Sequence, residues 1–74
     1  MADIEIFTGP DCSYCEAAKA LLARHRLVFT ERDVSDPAVQ AEFRERLPRV
    51  RSIPQIFIDG EHIGGYEDLD LKLK

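Results

Sequence analysis

Ile4-Glu5-Ile6-Phe7-Thr8-Gly9-Pro10-Asp11-Cys12-Ser13-Tyr14-Cys15-Glu16-Ala17-Ala18 decides the reading of this chain. Ile4 to Thr8 alternates apolar and polar and then turns apolar, the pattern of a strand that runs into a buried sheet. Gly9-Pro10-Asp11 breaks it. From about Ser13 to Arg26 the strong helix formers Glu, Ala, Lys, Leu and Arg dominate, with Ala17, Ala18, Leu21 and Leu22 at helical spacing. Cys12 therefore stands at or just before a helix N-terminus, after a strand.

Working outward, Leu27 to Asp33 is β-rich and short. One helix separates it from the first strand, so a βαβ unit with parallel strands is the economical arrangement. Asp36-Pro37 supplies an N-cap followed by proline at the first helical position, and Val39, Phe43 and Leu47 share one face until Pro48 ends the helix. Gln55 to Ile58, Asp59-Gly60 and Glu61 to Ile63 form a hairpin, because Asp-Gly supplies the positive φ angles of a type I′ turn. Gly64-Gly65 ends it. Tyr66-Glu67-Asp68-Leu69 opens a third helix with acidic residues where the dipole favours them. The order βαβ, α, ββα predicts an α/β fold of thioredoxin type, with a four-stranded mixed sheet and flanking helices.

The 74 residues fit one domain near the lower size limit for a single core. The net charge of −4 and pI of about 5.0 give phosphates no attraction, and the basic stretch from Arg44 to Arg51 has Glu45 inside it, so nucleic acid is not expected as a partner. No apolar run approaches the roughly 20 residues of a membrane span, and the N-terminus is acidic where a secretory signal is basic. A cytoplasmic location is the default expectation.

Cys12 and Cys15 are the only cysteines. Their C-x-x-C spacing closes too small a loop for a purely structural disulfide to be useful. A cysteine reacts as its thiolate, and a helix N-terminus lowers the thiol pKa through unpaired N–H groups and the dipole. Cys15, one turn on, is placed to attack a mixed disulfide on Cys12 and to stay protonated until then. Inert core cysteines and a zinc site are the competing readings. Zinc needs four ligands, and only His25 and His62 are left to complete the set, neither at a recognised spacing. Both histidines are expected at the surface. Pro54 precedes a strand placed inside the sheet, where proline is disfavoured. Residue pattern alone leaves the Ile53-Pro54 bond open between trans and cis.

Three segments, Thr8 to Cys15, Arg51 to Ile58 and Gly64 to Leu69, resemble in order the glutathione-site segments of glutaredoxins. That resemblance implies a dithiol glutaredoxin with catalytic Cys12 and Cys15, glutathione as co-substrate, and glutathionylated or disulfide-bonded proteins as partners of a monomer. It implies a cis Pro54, with Ile53 offering its backbone to the cysteinyl part of glutathione. Gly65, Tyr66 and Glu67 or Asp68 would surround the γ-glutamyl end, and Tyr14 would wall the cleft. Gly9 and Pro10 stand where many family members carry a lysine for the glycine carboxylate, and Arg51, with Arg49, is the candidate replacement. Tyr66 and Glu67 replace a small residue and an aspartate. Ser13 replaces a proline, as in family members with C-S-Y-C that hold a [2Fe–2S] cluster between two protomers, which makes a glutathione-ligated cluster dimer on Cys12 the second reading. An electron donor reduced by a thioredoxin reductase is the third. The family commonly continues beyond the position of Lys74, so a shortened, frayed last helix is also expected.

Overall fold

The computed structural model describes residues 2–74. Its elements are β1 (Ile4–Thr8), α1 (Ser13–Arg24), β2 (Thr30–Asp33), α2 (Pro37–Arg46), β3 (Gln55–Ile58), β4 (Glu61–Gly64) and α3 (Tyr66–Leu73). The sheet order is β2-β1-β3-β4. β1 pairs parallel with β2 and antiparallel with β3, and β3 pairs antiparallel with β4. This is the mixed sheet of the expected thioredoxin-type fold.

Strand alternation sends side chains to two cores. Ile4, Ile6 and Ile56 meet Ala18, Leu21 and Leu22 of α1 and Leu69 of α3 on one face. Phe7 and Phe57 meet Phe43 of α2 on the other, with Val39 and Leu47 packed beside them. The short α2 leaves part of that second face polar. There Arg32 bonds Glu5 at 3.0 Å and Glu42 at 2.7 Å, while Arg46 bonds Glu5 at 3.1 Å and Glu42 at 2.7 Å. Both guanidiniums also lie over the Phe7 ring, at 5.5 and 5.8 Å from its centre. The network ties α2 to β1 and β2.

The helix ends follow local chemistry. Asp36 caps α2 by accepting from the Ala38 N–H at 2.9 Å, with Pro37 opening the helix as expected. Asp59 and Gly60 both have positive φ, 52° and 81°, the type I′ turn read from Asp-Gly. The second strand departs from expectation, starting at Thr30 rather than Leu27. Arg26 adopts the left-handed conformation at φ 58° and closes a Schellman cap, in which the Leu27 N–H bonds Leu22 O at 3.0 Å and the Arg26 N–H bonds Ala23 O at 2.9 Å. Leu27 and Phe29 are consequently apolar for packing onto the first core, while Val28 between them points outward at 76% exposure. The first helix accordingly ends at Arg24, two residues earlier than its composition suggests.

The third helix runs from Tyr66 to Leu73 and buries Leu69 completely. No helix among the described residues is long and apolar enough to cross a membrane.

Candidate active site at the start of the first helix

β1, an interior strand, delivers the chain to one end of the sheet, and Gly9 to Asp11 turn it into α1. Asp11 holds a left-handed φ of 53°, a conformation that a short polar side chain tolerates better than most. Cys12 is then the N-cap, extended at φ −120°, and its Sγ accepts from the Cys15 N–H at 3.1 Å. A sulfur in the N-cap position faces the unpaired N–H groups of the first turn, so negative charge on it is stabilised.

Cys12 and Cys15 are disulfide-bonded, with Cα atoms 5.2 Å apart, inside the normal range for a bridge. Their burial differs: Cys15 is fully buried against the first core, and Cys12 is half-buried at the rim. Only Cys12 is open to a substrate from outside.

Opposite Cys12 lies the loop before β3. The Ile53–Pro54 bond is cis, as the family resemblance implied, and the Ile53 carbonyl oxygen sits 3.9 Å from Cys12 Sγ. Pro54 itself is buried. From here a cleft of about 550 Å³ is lined by Tyr14, Ile53, Pro54, Gly65, Tyr66, Glu67 and Asp68 among others, a size that suits a small peptide-like ligand. All of the residues expected around glutathione line it except Arg51 and its companion Arg49. The two tyrosine rings pack with centres 5.9 Å apart and close one side.

Arg51 belongs to a neighbouring groove of about 520 Å³, lined also by Gln40, Phe43, Arg44 and Pro48. Val50 and Ile53 line both grooves, so the two meet at the loop that faces Cys12. Arg49 lines neither. A Cβ at Gly9 would stand 2.7 Å from Ile53 Cδ1, so a residue with a side chain there would have to displace the end of the Ile53 side chain.

The far wall is the N-terminus of α3. Gly64 has φ 125°, a conformation that favours glycine, and a Cβ there would run into the Asp68 carboxyl. Asp68 Oδ2 accepts from the Gly65 N–H at 3.1 Å, which fixes the carboxylate at the mouth of the cleft. Exposed Glu67 lies beside it.

One feature lay beyond sequence reasoning. His62 is exposed as expected, but its Nε2 is 2.7 Å from Oε1 of the buried Gln55, whose amide reaches Ser52 in the loop. A polar residue inside an otherwise apolar strand, Gln55-Ile56-Phe57-Ile58, was the available signal.

A strand, a cysteine-capped helix with a C-x-x-C disulfide and a cis-proline loop facing it define a thiol–disulfide oxidoreductase of the thioredoxin fold. The glutaredoxin family model matches residues 4–63. Escherichia coli (strain K12) glutaredoxin 3 is 42% identical over 69 residues, covering 93% of this chain and 83% of that protein. The crystal structure of glutaredoxin 1 from Francisella tularensis complexed with cacodylate superposes with a TM-score of 0.84 at 30% identity, over 99% of this chain and 93% of that one. The buckwheat glutaredoxin–glutathione complex superposes at 0.81 and 25% identity, over 97% and 68%. The chain belongs to the glutaredoxin family.

Proposed function

We propose that this chain reduces glutathione mixed disulfides and protein disulfides, with glutathione as co-substrate and Cys12 as the attacking thiol. The observation that carries the reading is the placement of a half-buried, N-capping Cys12 opposite the Ile53 carbonyl, in a loop shared by two grooves whose walls differ in charge. The buckwheat family member bound to glutathione supports the choice of thiol.

In the monothiol route the Cys12 thiolate attacks the glutathionyl sulfur, the mixed disulfide breaks, and the substrate leaves as its thiolate and takes a proton. A second glutathione thiolate then attacks the glutathionyl sulfur on Cys12. Glutathione disulfide leaves, and Cys12 is a thiolate again. For a protein disulfide, Cys12 forms the mixed disulfide and Cys15 displaces the substrate, leaving the Cys12–Cys15 disulfide for two glutathiones to reduce. The Cys15 N–H stabilises the Cys12 thiolate as attacker and leaving group alike.

Glutathione lies across both grooves in this reading. The Ile53 backbone pairs with its cysteinyl residue, and Pro54 packs beneath. Tyr66 and Glu67, in the first turn of α3, offer backbone N–H groups to the γ-glutamyl carboxylate next to Gly65, whose own N–H is taken by Asp68, and Asp68 or Glu67 meets its amine. Tyr14 covers the sulfur, and Arg51, with Arg44 beside it, takes the glycine carboxylate. One chain suffices, since it supplies both cysteines and both walls, and the reaction suits the glutathione-reduced cytoplasm.

The test is glutathione-dependent reduction of a glutathionylated peptide by wild type, Cys12→Ser and Cys15→Ser, after visible spectra of anaerobically purified protein. Activity abolished in Cys12→Ser and kept in Cys15→Ser is expected. A folded wild type inactive with glutathione would overturn the proposal. Iron-dependent colour would then point to the cluster dimer, and reduction by a thioredoxin reductase to the electron donor.

A further inference from the structure

Gln55 is 6% exposed, yet both ends of its amide are engaged. Nε2 donates to Ser52 O at 3.1 Å and approaches Ser52 Oγ at 3.3 Å. Oε1 can only accept, so the 2.7 Å contact makes His62 Nε2 the donor. The His62 ring is held in turn against Phe57, with centres 5.1 Å apart.

The hairpin register brings these groups together, just ahead of an irregularity in the ladder. β3 and β4 pair Phe57 with His62 but Ile56 with Gly64, so Ile63 is an extra residue in the ladder. Phe57 and Gln55 share one face of β3, and His62 stands on that face opposite Phe57, one diagonal step from Gln55. At the other end of the relay, Ser52 carries the peptide that leads into Ile53, whose carbonyl faces Cys12 Sγ. The exchange chemistry itself uses none of these side chains.

We propose that His62 and Gln55 are positioning residues that hold the Ser52–Ile53 backbone where it receives the sulfur-bearing residue of the substrate. The proposal deepens the glutathione reading and rests on its placement of that residue at Ile53. Packing alone would be served as well by an apolar side chain of the same length, because replacing a satisfied buried polar group by an isostere can be nearly neutral. A relay that sets backbone position makes a different demand, since removing its outer donor releases the inner amide.

The experiment measures KM and kcat for a glutathionylated peptide, and the rate of Cys12 alkylation by iodoacetamide in the reduced protein. The variants are His62→Phe, His62→Gln, Gln55→Met and the double variant His62→Phe/Gln55→Met. His62→Phe keeps a ring against Phe57 and loses the donor, and His62→Ala takes its place if the phenylalanine variant fails to fold. The expected result for His62→Phe is a KM about fivefold higher, the order set by one hydrogen bond, with kcat and alkylation rate within twofold of wild type. His62→Gln, which again offers a donor, is expected to recover most of the loss. Gln55→Met should raise KM about tenfold, and the double variant should be no worse than Gln55→Met, because coupled residues are not additive. A KM within twofold of wild type in His62→Phe, additive losses in the double variant, or a matching fall in alkylation rate would each overturn the proposal. A parallel assay with a cystine peptide, driven by dithiothreitol, separates the two readings. A wild type unable to use glutathione but showing the same His62 dependence there would refute the glutathione reading alone.

Discussion

Replacing Arg26 by glycine should stabilise the protein. Arg26 occupies the position after the α1 cap at φ 58°, where its β-carbon crowds the backbone. A left-handed residue other than glycine costs about 1–2 kcal/mol. Glycine removes that strain but has more freedom to lose on folding, about 0.5–1 kcal/mol relative to alanine, so the net gain is about 0.5–1 kcal/mol. Nothing offsets it, because the Arg26 side chain is exposed and makes no ion pair among the described residues. The two backbone bonds of the cap, from Leu27 to Leu22 and from Arg26 to Ala23, remain available. For a domain of this size, that gain raises Tm by about 2–8 °C. The assay is thermal unfolding of wild type, Arg26→Gly and Arg26→Ala, with the cysteines in one redox state throughout. Arg26→Ala keeps a β-carbon and should change Tm by little. A lower Tm in Arg26→Gly, or an equal gain in Arg26→Ala, would refute the reasoning, because the effect would then not come from the left-handed backbone.

Gly9→Ala should destabilise by about 1 kcal/mol, since the new Cβ meets Ile53 Cδ1 at 2.7 Å; adding Ile53→Val, which removes that carbon, should return most of the loss in urea denaturation. Leu69→Ala should cost about 2–5 kcal/mol, because Leu69 is fully buried in the first core; a midpoint shift in urea too small for that range would show that α3 contributes little. Glu31 and Glu42 are both held below the ordinary carboxylate range, Glu31 first by its hydrogen bond from Lys19 and then by that from Thr8, Glu42 first by its hydrogen bond from Arg32. A depressed folded-state pKa stabilises above the unfolded value and loses that contribution as pH falls through the folded one. Denaturant midpoints should therefore be level from pH 7 to about 5 and fall below about pH 4.5, and Glu42→Gln should flatten the fall; a midpoint that rises on acidification would contradict these assignments.

The parts of the fold that local chemistry writes were legible residue by residue. Asp36-Pro37 announces a helix start, Asp59-Gly60 a hairpin, and Gly-Pro before C-x-x-C the passage from strand to helix, and each is realised where its residues stand. The cis Pro54 was different in kind, since its position in a strand register only raised the question and the family resemblance answered it. What stayed hidden has one cause in each case. The end of α1 was missed because an arginine does the work of a glycine, so no composition signal marks the Schellman cap, and Leu27 and Phe29 then pass for strand residues when they are a cap contact and a loop anchor. The basic stretch from Arg44 to Arg51 reads as one patch along the chain but divides in space: Arg46 is spent on Glu5 and Glu42, while Arg44 and Arg51 turn to the groove beside Ile53.

The same limit applies to the site. Cys12, Cys15 and the residues named from the three segments, Arg51 apart, are brought together at the start of α1 and along the first cleft because short motifs carry them. The loop that faces Cys12 is braced by a glutamine buried in β3 and a histidine seven residues on, a diagonal pair across the β3–β4 hairpin. A diagonal pair depends on the register of two strands, which no motif spells out. Ile53 thus gathers constraints from three directions: Gly9 gives room to its side chain, the cis bond sets its peptide, and Gln55 holds the residue before it. The nucleophile, by contrast, needs little more than its place at the end of a helix. On the proposed reading, KM responds most to residues that hold the Ile53 backbone, and thiol reactivity to those around the first turn of α1.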